Sequence, residues 1–167
     1  AVANTNEVPE NGAIDLAAAS SVLDDDADVD GDALTVSSIR TGNVAATDGA
    51  QGEIGSTLVG AYGVLTLNAD GQYRYATTAS AVDGLAAGAT AVDVFTYTIT
   101  DGALSASAEL LITVTGVNDA PVAVANTNEV PENGVIGFAA VSSVLGDAAD
   151  VDGDALTVSS IRTGNVA

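Results

Sequence analysis

The run VFTYTIT at residues 94–100 alternates strictly: Phe95, Tyr97 and Ile99 share one face, and Val94, Thr96, Thr98 and Thr100 share the other. A period of two predicts a half-buried β-strand with its aromatic face inward. GVLTLNADGQYRYA (63–76) sets two such runs on either side of Asn68, Ala69, Asp70 and Gly71, a hairpin signal. SASAELLITVT (105–115) reads as a long final strand closed by Gly116. Shorter candidates lie at 2–8, 14–18, 34–40 and 56–60, and only ASAVDGLAAG (79–88) suits a helical turn. About seven short strands with turn residues between them predict an all-β fold, a β-sandwich.

Comparing the chain with itself gives its organisation. AVANTNEVPENG (1–12) returns at 123–134, and ALTVSSIRTGNVA (33–45) returns at 155–167, both at an offset of 122 residues. Of the 45 overlapping positions only six differ: Ala13/Val135, Asp15/Gly137, Leu16/Phe138, Ala19/Val141, Asp24/Gly146 and Asp26/Ala148. A period of this length is that of an independent domain rather than of a solenoid unit. The expected layout is a complete repeat at 1–119, a linker at 120–122, and the N-terminal third of the next repeat at 123–167. A segment that short cannot bury a core of its own. It either stands as the start of the next bead or competes with 1–45 to complete a bead with 46–122. The chain opens on Ala1 with no charged-then-apolar leader, as expected of a piece of something longer.

Charge changes the picture next. The chain has 23 acidic and 3 basic residues in 167, a formal net charge of −20. Repulsion on that scale opposes a compact state unless cations offset it. It also argues against nucleic acid and anionic membrane as partners, since both need a basic face. The chain is 47% apolar with three prolines, which is a folding rather than a disordered composition. With no histidine and no cysteine, thiol and Ser-His chemistry, disulfides and zinc sites are excluded. No run of eighteen apolar residues exists, so no helix is expected to insert into a membrane. Paired carboxylates are the only enzymatic device left, and abundant Asp and Glu make accidental pairs, so no enzyme is expected. Tyr62, Tyr73, Tyr75 and Tyr97 are expected in the core, and Arg40 and Arg74 are expected to pair with local carboxylates.

The acid is densest in DDDADVDGD (24–32). D-x-D-x-D-G is the first half of an EF-hand loop, but the twelfth position is Ser37 instead of glutamate, and Ala148 replaces the first ligand in the second copy. Both copies keep Asp28, Asp30 and Asp32, matched by Asp150, Asp152 and Asp154. Three such carboxylates make a hard-oxygen site suited to calcium, with the leading aspartates as solvated surroundings.

The neighbouring motifs supply a context. VPEN (8–11), then DxD, then TDG (100–102), then a last strand running into VNDAP (117–121) is an order that resembles cadherin repeats. Residues 60–102 resemble more closely the VCBS and cadherin-like repeats of giant bacterial surface adhesins, many of which are secreted with RTX-type C-termini. The resemblance covers residues 1–122 and, through the repeat, 123–167. It implies an Ig/cadherin-like Greek-key β-sandwich in a tandem array, with calcium at the junctions. Carried over by residue, Glu10 of the PEN motif serves the outgoing linker. Asn118 and Asp119 belong to that linker, and Asp150 and Asp152 to the following repeat. By the same logic Asp28, Asp30 and Asp101 serve the preceding linker. VNDAP lacks the leading acid and second asparagine of the animal pattern, and no DRE-type motif is present, which implies one or two ions per junction.

The implied function is a calcium-rigidified extender repeat of a secreted adhesin, at the extracellular bacterial surface, for adhesion or biofilm formation. Its partners would be neighbouring repeats of the same chain, with self-association into a fibre or matrix as a further possibility. The alternative is a glycan-, surface- or ice-binding module, suggested by the threonine face at 96, 98 and 100.

Overall fold

The computed structural model describes residues 1–15, 21–134 and 143–164. They form two compact units, Ala1–Val117 and Asn118–Ala167. In the first, nine strands and one helical turn follow in the order β1 (Asn4–Pro9), β2 (Ala13–Ile14), β3 (Thr35–Thr41), β4 (Gln51–Gly52), β5 (Thr57–Val59), β6 (Gly63–Leu67), β7 (Tyr73–Thr77), α1 (Ala79–Val82), β8 (Thr90–Thr100) and β9 (Ser105–Thr115). They make two sheets, β1-β9-β8-β3-β4 and β2-β7-β6-β5. The fold is thus an all-β two-sheet sandwich.

Each sheet turns its alternate residues inward. Phe95, Tyr97 and Ile99 of β8 and Leu110, Ile112 and Val114 of β9 meet Leu65, Leu67, Tyr73 and Tyr75 of β6 and β7 in one core. Tyr75 and Phe95 pack edge to face, with centroids 6.3 Å apart and planes at 69°, the arrangement the ring quadrupoles favour. Val36 and Ile39 of β3 both face this core although they are three positions apart, which strict alternation forbids. A register shift between Val36 and Ser38 against β8 resolves the conflict, as a bulge does by re-aiming one side of a strand. The hairpin expected between β6 and β7 forms, with Leu67 opposite Tyr73 and Gly71 at φ +80°. A side chain at Gly71 would also run into Ser21 Oγ.

Most expected strands appear, and four findings differ. The candidate at 14–18 appears as β2, and its residues 16–18 lie outside the described ones. β4 is two residues long, too short for any periodicity to show. β8 begins at Thr90, four residues before the alternating run, because the eleven-residue β9 templates its full length. Among the described residues Arg40 meets no carboxylate: its guanidinium donates to the carbonyls of Thr41, Asn43 and Val44 at 3.2, 2.8 and 3.0 Å. It staples its own loop. Arg74 does pair, at 3.3 Å from Asp15.

Tyr73, Tyr75 and Tyr97 are buried, as expected, while Tyr62 is partly buried against the core. Burial raises all three buried phenols above the ordinary value; Tyr97, facing the Asp26 charge as well, is pushed up to about 12. Each therefore contributes stability that is complete below the unfolded value near pH 10 and is lost as pH rises through the folded one. Phenolate absorbance from these three residues is expected to be delayed beyond pH 10 in the folded chain and to appear together with loss of the β-sheet signal. Ionisation of these tyrosines without unfolding would contradict this packing.

The second unit carries almost the same sequence as residues 1–45 and a different structure. Among its described residues the only β pairing is one antiparallel bridge, Val122 to Ala149, closed by hydrogen bonds of 2.8 and 3.1 Å. Val8 and Ile39 are 2% and 1% exposed, whereas their equivalents Val130 and Ile161 are 53% and 94% exposed. In the first unit β1, β2 and β3 fill the edges offered by β9, β7 and β8.

Candidate functional site

The DVDGD segment folds into the same turn in both copies. Asp28 Oδ1 accepts the amides of Asp30 and Asp32 at 2.8 and 3.2 Å, and Asp150 Oδ1 accepts those of Asp152 and Asp154 at 3.0 and 3.3 Å. Gly31 and Gly153 close it at φ +83° and +80°, a conformation open to glycine at no steric cost. The first carboxylate is thereby committed to its own backbone through one oxygen. Asp30 and Asp32 point outward, exposed.

Asp101 makes a similar turn after β8. Its Oδ1 accepts the amides of Leu104 and Ala103, both at 2.6 Å, which hold the carboxyl below its ordinary pKa. Asp28 and Asp101 line one open pocket of about 150 Å³ with Leu34, Ile99 and Leu104. The structure thus brings these two predicted residues to the same pole of the sandwich.

Glu10 lies at the opposite pole. It is 4% exposed. Its amide donates to Thr115 O at 2.7 Å, and its Oε2 accepts the Val117 amide at 2.9 Å. Its Oε1 is buried without a partner. In the second unit the Asp119 amide donates to Asp152 Oδ2 at 2.7 Å, and Asn118 Nδ2 donates to the Asp119 carbonyl at 2.8 Å. Asp119 Oδ2 and Asp152 Oδ1 are again buried and unpartnered. Asp154 is exposed.

Among the described residues, no three acidic side chains converge closely enough to hold a metal ion. What does fit a cation is the donor set. A buried carboxylate oxygen with no hydrogen-bond donor carries an uncompensated desolvation cost, and oxygen is the ligand that calcium takes.

Two acids escaped sequence reasoning. Asp26 is not part of a solvated surround: its side chain has 0% exposure, Oδ1 accepts the Val2 amide, and Oδ2 is unpartnered. Ala148 at the equivalent position, a residue that tolerates burial, was the available signal. Asp24 and Asp25 are exposed as expected. Asp93, 3% exposed, accepts the amides of Ala61 and Tyr62 at 2.7 and 3.1 Å and the Tyr75 hydroxyl at 2.7 Å. Its signal was phase, since counting back by twos from Phe95 places it on the core face.

A two-sheet sandwich whose first strand lies parallel to its last, with acidic turns at one pole and a buried glutamate at the other, defines a cadherin-like structural module. The model of the bacterial cadherin-like domain matches residues 1–116, and the chain belongs to that family of non-catalytic modules. A search of curated proteins found no match.

Proposed function

We propose that the chain is a calcium-stiffened extender repeat of a secreted bacterial adhesin, holding a binding region away from the cell. One observation carries the calcium part. Four buried side-chain oxygens lack a partner among the described residues, and three of them belong to Glu10, Asp119 and Asp152. All three stand at positions that the cadherin-type motifs mark as ligands. Asp28, Asp30, Asp32, Asp101, Asn118, Asp150 and Asp154 complete the proposed oxygen-ligand set. Calcium bound by these residues would offset the −20 charge and stiffen the linker.

The glycan- or ice-binding alternative is weakened by the threonine face itself. Thr96 Oγ1 donates to Gly42 O at 2.7 Å, the Thr98 and Ser107 hydroxyls bond each other at 2.9 Å, and Thr100 Oγ1 donates to Leu104 O at 2.8 Å. These hydroxyls are engaged within the sandwich.

Extracellular modules bind calcium with Kd of about 10⁻⁴ to 10⁻³ M. At tenfold excess over Kd, binding stabilises by about 1.4 kcal/mol. Calorimetric melting is therefore expected to shift upward with millimolar calcium and to return with chelator. The shift should shrink in Glu10→Gln and Asp152→Asn. Indifference of the melting temperature to both calcium and chelator would sink the proposal.

A further inference from the structure

The VPENG turn occurs twice with one sequence and two surroundings. In each copy the asparagine sits in the left-handed region, Asn11 at φ 58° and Asn133 at φ 62°. In each the following glycine amide donates back to proline, Gly12 to Pro9 O at 3.0 Å and Gly134 to Pro131 O at 2.8 Å. Only the first turn is docked. Thr77 gives both its amide and its hydroxyl to Gly12 O, at 3.2 and 3.1 Å, while Glu10 ties the turn to Thr115 and Val117. Among the described residues, the second turn has no hydrogen bond beyond itself, and residues 131–134 are exposed.

We propose that the Asn-Gly step of this turn is a modification site gated by docking, at which water deamidates the asparagine. The glycine amide nitrogen, after losing its proton, attacks Asn Cγ; Nδ2 leaves as ammonia and a five-membered succinimide forms. Water then opens the ring. Cleaving the bond from nitrogen to Cγ gives aspartate, and cleaving the bond to the backbone carbonyl gives isoaspartate. The balance is asparagine plus water to acid plus ammonia, with no oxidant.

The attack needs the glycine nitrogen free of its proline carbonyl and swung toward Cγ, so the turn must open first. Docking sets the cost of that opening. At Asn11 the product would place a new carboxylate beside buried Glu10, and the isoaspartate form would lengthen the backbone inside a turn that has no slack. A side chain on Gly12 would already stand 2.7 Å from Pro9 O.

The full chain is incubated in mildly alkaline buffer, and the peptides holding Asn11 and Asn133 are followed by mass. Asn133 is expected to convert at least about tenfold faster than Asn11, the factor set by about 1.4 kcal/mol of opening cost. In urea the two rates should converge, since the residues from Ala1 to Gly12 and from Ala123 to Gly134 agree. Thr77→Val, which removes the hydroxyl bond and keeps the strand bond, should raise the Asn11 rate. Equal rates in native buffer, an Asn133 as inert as Asn11, or a difference that survives in urea would each overturn the proposal.

Discussion

Replacing Asp93 by alanine is expected to lower the unfolding free energy of the sandwich by about 4 kcal/mol. The carboxylate is buried and accepts three hydrogen bonds, from the Ala61 and Tyr62 amides and the Tyr75 hydroxyl. Removing it strands the buried Tyr75 hydroxyl and leaves two part-buried amides without their acceptor, a buried donor costing about 1–3 kcal/mol when unpaired and the amides less. The loop between β5 and β6 is built around it, for a side chain at Gly60 would reach to 2.5 Å from Asp93 Oδ2. Tyr75→Phe removes one donor and should cost only about 1 kcal/mol. In the double variant the two losses should fall short of additivity, because alanine at 93 no longer leaves a hydroxyl stranded. A denaturant midpoint unchanged by Asp93→Ala would show that loop 60–62 does not depend on this carboxylate.

The second large effect sets identical residues against each other. Ile39→Ala is expected to cost about 3 kcal/mol, as deletion of a buried isoleucine does, because Ile39 is 1% exposed on β3. Ile161→Ala, its equivalent in the second copy at 94% exposure, should change stability by no more than about 0.5 kcal/mol. The readout is clean: all four tyrosines lie before residue 98 and there is no tryptophan, so intrinsic fluorescence reports the first unit alone. If Ile161→Ala destabilised that signal as much as Ile39→Ala, the second copy would be occupying the β3 slot.

That comparison bears on how far the fold is legible in the sequence. β9 and the β6-β7 hairpin could be read directly, because alternation and turn residues are local properties. The inward tyrosines followed from the scarcity of other large side chains. Residues 33–42 and 155–164 agree in every letter, yet only the first contains a strand, since β3 exists by pairing with β8 and β4. Local propensity proposes such a strand, and a partner edge settles it. The bulge at Val36 and Ser38 was out of reach, and so were the partners that satisfy Asp93, although its inward phase was not. Each is a local violation satisfied by groups distant in sequence.

The site was legible as chemistry and less so as geometry. Motif order selected three carboxylates that turn out to own buried, unpartnered oxygens. It could not foresee that Asp28 and Asp150 would each commit one oxygen to their own turn. Motif order alone also left Asp26 among its solvated neighbours; Ala148 in the second copy hinted otherwise, but the Val2 amide that Asp26 accepts is distant in sequence.

The parallel alignment of β1 on β9, Asn4 opposite Leu110 through Pro9 opposite Thr115, has a mechanical consequence. Strands running the same way carry the chain in one direction, so it enters this seam at Asn4 and leaves the sandwich beyond Thr115, the six paired residues spanning about 20 Å. Tension applied through Ala1 and Val117 therefore runs along the seam between these two strands. It loads their backbone hydrogen bonds together in shear, where a hairpin pulled at its open end would peel them one at a time. A sandwich loaded along that axis gains resistance to rupture from its topology alone.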